Sequence, residues 1–251
     1  MAPILYCGDT NLETAASYLA GMMASWGWEF DYVPSDQPIT PDEMQPRDLV
    51  ILSDYPADQM NDAAQTALLS SVEAGTGLIM IGGWESFHGF GGDWDRTKIA
   101  DALPVTLQTE DDRINCDQSA LVRVLQNHPA VDGLPWQDRP PCIGGFNRFH
   151  AKPDAKTLLA ADRLQIAIAE SEAIEFNVRE THPLLVVGKY GQGQTAALAT
   201  DVAPHWVGGW VDWGDGRVQG QADGAEAIEV GDSYAQFWRQ LLSSLRRSLP
   251  T

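Results

Sequence analysis

Short apolar runs and helical periods alternate along the first third of the chain. Residues 3–7, 29–33, 48–53 and 77–81 are apolar runs of strand length. After the first run, Leu12, Ala15, Ala16, Leu19, Met22, Met23 and Trp26 recur at helical spacing, and Gly27 supplies a stop. Thr10-Asn11-Leu12-Glu13 reads as a capping box, in which a hydroxyl and a carboxylate three residues on satisfy free N–H groups at a helix start. A second helical period runs over Met60, Ala63, Ala64, Ala67, Leu68 and Val72 and closes at Gly75. The strands are apolar on both faces and need cover on both sides. The order β-α-β-β-α-β therefore predicts an α/β fold: a flavodoxin-like, doubly wound, mostly parallel sheet with helices on both faces and extra short β elements. Ligands of such sheets bind beyond the carboxyl ends of the strands. That rule directs attention to Gly8-Asp9-Thr10, Ser53-Asp54-Tyr55 and the stretch from Gly82 to Gly92.

The rest of the chain is less regular. Residues 104–181 read as an insert-like region of short β elements and loops on one side of the sheet. Leu184 to Lys189 and Gln194 to Thr200 flank Gly191-Gln192-Gly193 and read as a hairpin. Tyr234, Phe237, Trp238, Leu241, Leu242, Leu245 and Leu249 share one face of a C-terminal helix, with Arg239, Arg246 and Arg247 turned away. The glycine-rich residues 207–231 read as a long functional or mobile loop. No repeat interrupts the pattern, and residues 1–251 read as a single domain.

Charge narrows the partners. Lys and Arg number 16 against 35 Asp and Glu, a net charge of −19. Such a surface repels phosphate, which argues against nucleic acid and anionic membranes. The chain starts without a basic leader segment, no window offers about 18 consecutive apolar residues, and three cysteines (Cys7, Cys116, Cys142) make no disulfide scaffold. A soluble, cytoplasmic protein is expected, with no cofactor and no metal.

Four motifs in order point to a family. They are Ser53-Asp54-Tyr55-Pro56, the run from Gly77 to Phe87, the stretch from Val187 through Gly191-Gln192-Gly193 to Trp206, and the Tyr234, Phe237, Trp238 helix. Together the chain resembles the class I glutamine amidotransferase-like proteins, in the divergent branch near the trehalose-utilisation type proteins. The resemblance implies a strand–turn–helix elbow that lifts one side chain into a pocket. Glutaminases of this kind carry Gly-x-Cys-x-Gly there, with a late His-x-Glu to deprotonate and orient. Here Gly83-Trp84-Glu85-Ser86-Phe87 puts Glu85 in the place of the Cys, and the late turn reads Asp201-Val202-Ala203-Pro204-His205. A carboxylate does not form the thioester, so ordinary glutaminase activity is not expected.

Three readings remain. In the first, a small polar ligand binds at the elbow pocket through Asp9, Thr10, Gly83, Trp84, His88 and Asp201. In the second, a divergent hydrolase uses Ser86 or Glu85 with His205. In the third, the chain is a structural subunit of a homo-oligomer, with Trp206, Trp210 and Trp213 on the contact surface. Plainer accounts stand beside each: Ser86 as a cap on the helix after the elbow, His88 as a structural or surface histidine rather than a ligand shared with His205 and Asp201, and the tryptophans as core.

Overall fold

The computed structural model describes residues 2–44, 47–168 and 173–247. β1 (Ile4–Gly8) leads through α1 (Ala16–Ser25) to β2 (Phe30–Val33). β3 (Leu49–Ser53) leads through α2 (Asp62–Glu73) to β4 (Gly77–Ile81). A short α3 (Ile99–Ala102) precedes β5 (Val105–Leu107), β6 (Arg113–Val124), β7 (Cys142–Asn147), β8 (Phe149–Ala151), β9 (Lys156–Ile168), β10 (Ile174–Tyr190) and β11 (Gly193–Leu198). The chain then forms α4 (Pro204–Val207), β12 (Arg217–Gly220), β13 (Ile228–Gly231) and α5 (Asp232–Leu245).

Nine strands form one sheet in the order β2-β1-β3-β4-β11-β10-β9-β6-β7. From β2 to β11 every pairing is parallel. This is the flavodoxin-like half, and β1, β3 and β4 are buried along their whole length. α1 carries the chain outward to β2, and α2 carries it the opposite way to β4. Right-handed crossovers in opposite directions place the two helices on opposite faces. α5 buries Tyr234, Phe237, Trp238, Leu241, Leu242 and Leu245, each worth about 2 kcal/mol in apolar area removed from water. Leu249 lies outside the described residues.

Four expectations need correction. Residues 104–181 are not mainly short elements. β6, β9 and β10 are long antiparallel strands that extend the same sheet. Their alternating polar positions hid them from a search for apolar runs. Residues 207–231 are not an open loop: a 3₁₀ turn over Gly208–Asp212 leads into the β12–β13 hairpin. Trp206, Trp210 and Trp213 are buried. The Trp213 ring lies 4.4 Å from that of Trp136, and the Trp210 ring 5.1 Å from that of Phe237. Those tryptophans are core, so they form no contact surface. The capping box is also absent. Thr10 N donates to Ser35 Oγ at 3.0 Å, and α1 begins only at Ala16, after a turn in which Asn11 Oδ1 accepts from Glu13 N. No described helix is long and apolar enough to cross a membrane.

Candidate functional site

The carboxyl ends of β1, β3, β4 and β11 meet at one edge of the parallel half. Backbone geometry marks that edge. Among the described non-glycine residues, positive φ occurs at Asp9 (52°), Thr10 (64°), Asp54 (47°), Phe87 (55°) and Asp93 (50°). All five follow β1, β3 or β4. Each such residue costs about 1–3 kcal/mol, and such strain clusters where function holds a loop in shape. Gly8 makes the approach feasible: at φ 114°, a Cβ there would sit 1.7 Å from Ser53 O, and Asp9 N donates to that same oxygen at 2.7 Å. Ser35 ties the β1 and β3 loops together, accepting from Thr10 N and donating to Asp54 O at 2.7 Å.

The turn after β4 departs from the implied elbow. Glu85 has no left-handed backbone, and no helix follows it. Turns run from Gly83 to a 3₁₀ segment over Trp94–Arg96. Left-handed residues at Phe87, Gly89 and Gly91 break any helical run. Ser86 is buried, donates to Ile81 O at 2.5 Å and accepts from Asp54 N at 3.0 Å. It caps no helix. Its hydroxyl stitches the turn to the end of β3, and it makes no hydrogen bond to His205. Glu85 N donates to Asp54 Oδ1 at 2.5 Å. The half-buried Glu85 carboxyl is pushed upward in pKa by burial, and next by Asp58. The aromatic residues next to it in sequence build no closed apolar wall. Phe87 is core against Phe149, while Trp84 and Phe90 are exposed and flank the Arg113 guanidinium at 4.3 and 4.9 Å.

Three aspartates and one histidine cluster at this edge, close enough to act on one another's charge. Asp9 is buried and accepts from the Tyr6 hydroxyl. Burial pushes its pKa well up, and the Asp201 and Asp54 charges add to the rise. Asp54 is raised to about 7, first by burial, with Asp201 and Glu85 raising it and the Glu85 amide and His205 lowering it. Asp201 Oδ1 accepts from Val202 N and Ala203 N at 2.5 and 3.0 Å, and its Oδ2 lies 3.5 Å from His205 Nδ1. That contact raises the His205 pKa. His205 is exposed and lines a cleft of about 430 Å3 with Glu13, Thr14, Tyr18 and Glu226. Tyr234 fixes this turn from α5, its hydroxyl donating to Val202 O at 2.6 Å.

His88 does not join His205 and Asp201. Its Nδ1 lies 2.7 Å from Asp95 Oδ1 and 4.0 Å from Asp93 Oδ1, a trio with metal-ligand atom types that also pairs with Arg96.

Sequence reasoning missed a buried layer beneath the turn. Asn147 Oδ1 accepts from Gly83 N at 3.0 Å, and its Nδ2 donates to Gly83 O at 3.1 Å and to Asp112 Oδ1 at 2.7 Å. Asp112 also accepts from His88 N and Gly89 N. Burial raises the Asp112 pKa against these hydrogen bonds. Both residues lie in the stretch read as irregular, where no motif marked them. Asp54 had a signal: it falls in a flagged segment, at the end of a buried strand.

No thiol reaches this edge by hydrogen bond. Cys7 is buried inside β1, where burial raises its pKa, and Cys116 and Cys142 belong to β6 and β7.

Residues 6–218 match the profile of a family described as "Putative glutamine amidotransferase". No curated protein matches the chain. Among solved structures, cytoplasmic protein STM3548 of Salmonella typhimurium is 23% identical with a TM-score of 0.74, the match covering 98% of this chain and 100% of that one. Cytoplasmic protein STM1381 of Salmonella typhimurium LT2 is 22% identical with a TM-score of 0.73, covering 97% and 99%. A ThuA-like protein of Parabacteroides merdae is 14% identical with a TM-score of 0.56, covering 100% and 92%. At these identities the likeness is one of fold.

Proposed function

The chain belongs to the glutamine amidotransferase-like family, and we propose that it is a member without glutaminase activity that binds a small polar ligand where β1, β3, β4 and β11 end. One observation carries this reading: Asp9, Asp54, Asp201 and His205 cluster at this edge, and the amide of Glu85, the residue that the resemblance sets in place of the cysteine, is tied to Asp54. A thioester needs a thiolate within reach of a base, and the cysteines are in the core or on β6 and β7. The aspartates offer acceptors, so the ligand is rich in donors: hydroxyl groups or an ammonium group. The cleft beside His205 gives such a molecule room, and Glu13 and Glu226 on its wall add acceptors.

A second reading is hydrolytic. A carboxyl raised to about 7 is matched to general acid–base work at neutral pH. This assigns the proton transfer to Asp54 rather than to Ser86, whose hydroxyl is committed to Ile81 and Asp54.

Purified protein incubated with glutamine is expected to release no ammonia above background. Glutamine turnover abolished by a thiol-modifying reagent would overturn the reading. Calorimetric titration with small amino- and hydroxyl-bearing compounds is expected to give heat that Asp201→Asn removes, that thiol modification leaves intact, and that Glu85→Gln changes with little loss of stability. Turnover of any such compound that is lost in Asp54→Asn would favour the hydrolytic reading.

A further inference from the structure

β9 and β10 run past the sheet as a two-stranded arm. β9 pairs with β6 only at residues 159–163, and β10 pairs with β11 only at residues 185–190. Beyond these points the two strands pair only with each other, as Leu164 with Val178, Ile166 with Phe176 and Ile168 with Ile174. Successive Cβ atoms alternate between the faces of a strand, and directly opposed residues share a face. These six apolar residues therefore line one face of the arm, and Gln165, Ala167, Glu175 and Asn177 the other. Ile166, Ile168, Ile174, Phe176 and Val178 are between 40% and 78% exposed.

The root of the arm is braced by side-chain contacts. Arg163 pairs with Glu180 at 3.0 Å, Thr181 Oγ1 donates to Asp162 Oδ1 at 2.6 Å, and Gln118 Oε1 accepts from Ile166 N at 2.8 Å. A held direction, together with large apolar side chains on one face and small or polar ones on the other, is the pattern of a ribbon covered on one side only. A two-stranded ribbon is marginal by itself in water, and contiguous apolar patches mark interaction sites.

We propose that the apolar face of this arm packs against the same face of a second copy of the chain, around a two-fold axis. Area and row pattern both select that occupant. The five exposed residues present at most about 600 Å2, so two identical arms face to face bury up to about 1,200 Å2, the lower bound of a standard stable interface. The three cross-strand rows run root, middle and tip, with Phe176 in the middle row. An antiparallel mate sets middle on middle and tip on root, an arrangement that a two-fold axis across the arm permits because each copy offers the same patch. Among its described residues the face carries no charged side chain, in a chain of net charge −19.

Sedimentation velocity of the full chain at physiological ionic strength tests this. The wild type is expected at twice its 27.4 kDa chain mass, and Phe176→Glu at the single-chain mass, with the dissociation constant raised at least about a hundredfold, as for loss of a central aromatic anchor. Circular dichroism is expected to match, because Phe176 is exposed in the single chain. If Phe176→Glu fails to fold, Ile168→Lys at the most exposed position is the substitute. A wild type at 27.4 kDa across the concentration range, or a dimer that both folded variants leave intact, overturns the proposal.

Discussion

Replacing Asp54 by Asn is expected to stabilise the protein at neutral and alkaline pH and to do little at acid pH. Asp54 sits at φ 47°, accepts from Glu85 N through Oδ1, and faces Asp201 and Glu85 across a poorly solvated edge. Asn tolerates the left-handed backbone and keeps an oxygen for the Glu85 amide, so it stands in for the protonated acid. In the unfolded chain an aspartate titrates near about 4; in the folded protein Asp54 is raised to about 7. Below the lower value both states hold the proton and the pH has no leverage. As pH rises through the interval the unfolded state ionises first, so the folded state loses relative stability up to the folded pKa and stays flat above it. Three units at about 1.4 kcal/mol each give about 4 kcal/mol. Interaction with Asp9, whose own pKa is raised, lowers the share that one residue carries, to about 2–4 kcal/mol. Urea unfolding of wild type and Asp54→Asn at several pH values between 4 and 8 reads this directly, since other carboxyls cancel in the difference. The stability advantage of the variant should grow from near zero at the acid end to its full value above pH 7. A difference independent of pH, or one that favours the wild type at pH 8, would refute the argument.

Two further outcomes follow from the packing around the site. Ser86→Ala strands Asp54 N and frees Ile81 O of its hydroxyl partner, so chemical denaturation should show a loss of about 1–3 kcal/mol; no loss would mean that the hydroxyl is not structural. Gly145→Ala places a Cβ 2.4 Å from the Trp206 indole. That overpacking is expected to cost at least about 1–3 kcal/mol and to weaken the Trp206 Nε1 hydrogen bond to Asn115, visible as a shift in tryptophan emission. An unchanged midpoint and spectrum would show that the late turn moves aside freely.

The parallel half was legible in the amino-acid sequence because β1, β3 and β4 are buried on both faces. An unbroken apolar run such as Leu49–Ser53 or Gly77–Ile81 needs no partner to be recognised. The order of those runs also implies the edge at which Asp9, Asp54 and Asp201 arrive, by the connectivity rule for wound sheets. The family motifs, and the Glu85 that the resemblance sets where the amidotransferases carry a cysteine, are likewise read from the sequence alone.

Tertiary structure decided what depends on contacts far apart in the chain. Ser86 is a stitch because Asp54 N lies above it, and Asn147 holds Gly83 from 64 residues away; no local pattern encodes either contact. The pKa of Asp54 depends on burial and on Asp201, both of which exist only once β3 and β11 stand in the same sheet. Trp206, Trp210 and Trp213 look like loop aromatics until Gly145, Trp136 and Phe237 come up against them. The arm beyond Arg163 alternates with period two, as an edge of any sheet does. That it leaves the sheet, and which face it leaves uncovered, is set by where β6 and β11 stop pairing, because pairing distance is a property of the whole fold and not of one strand.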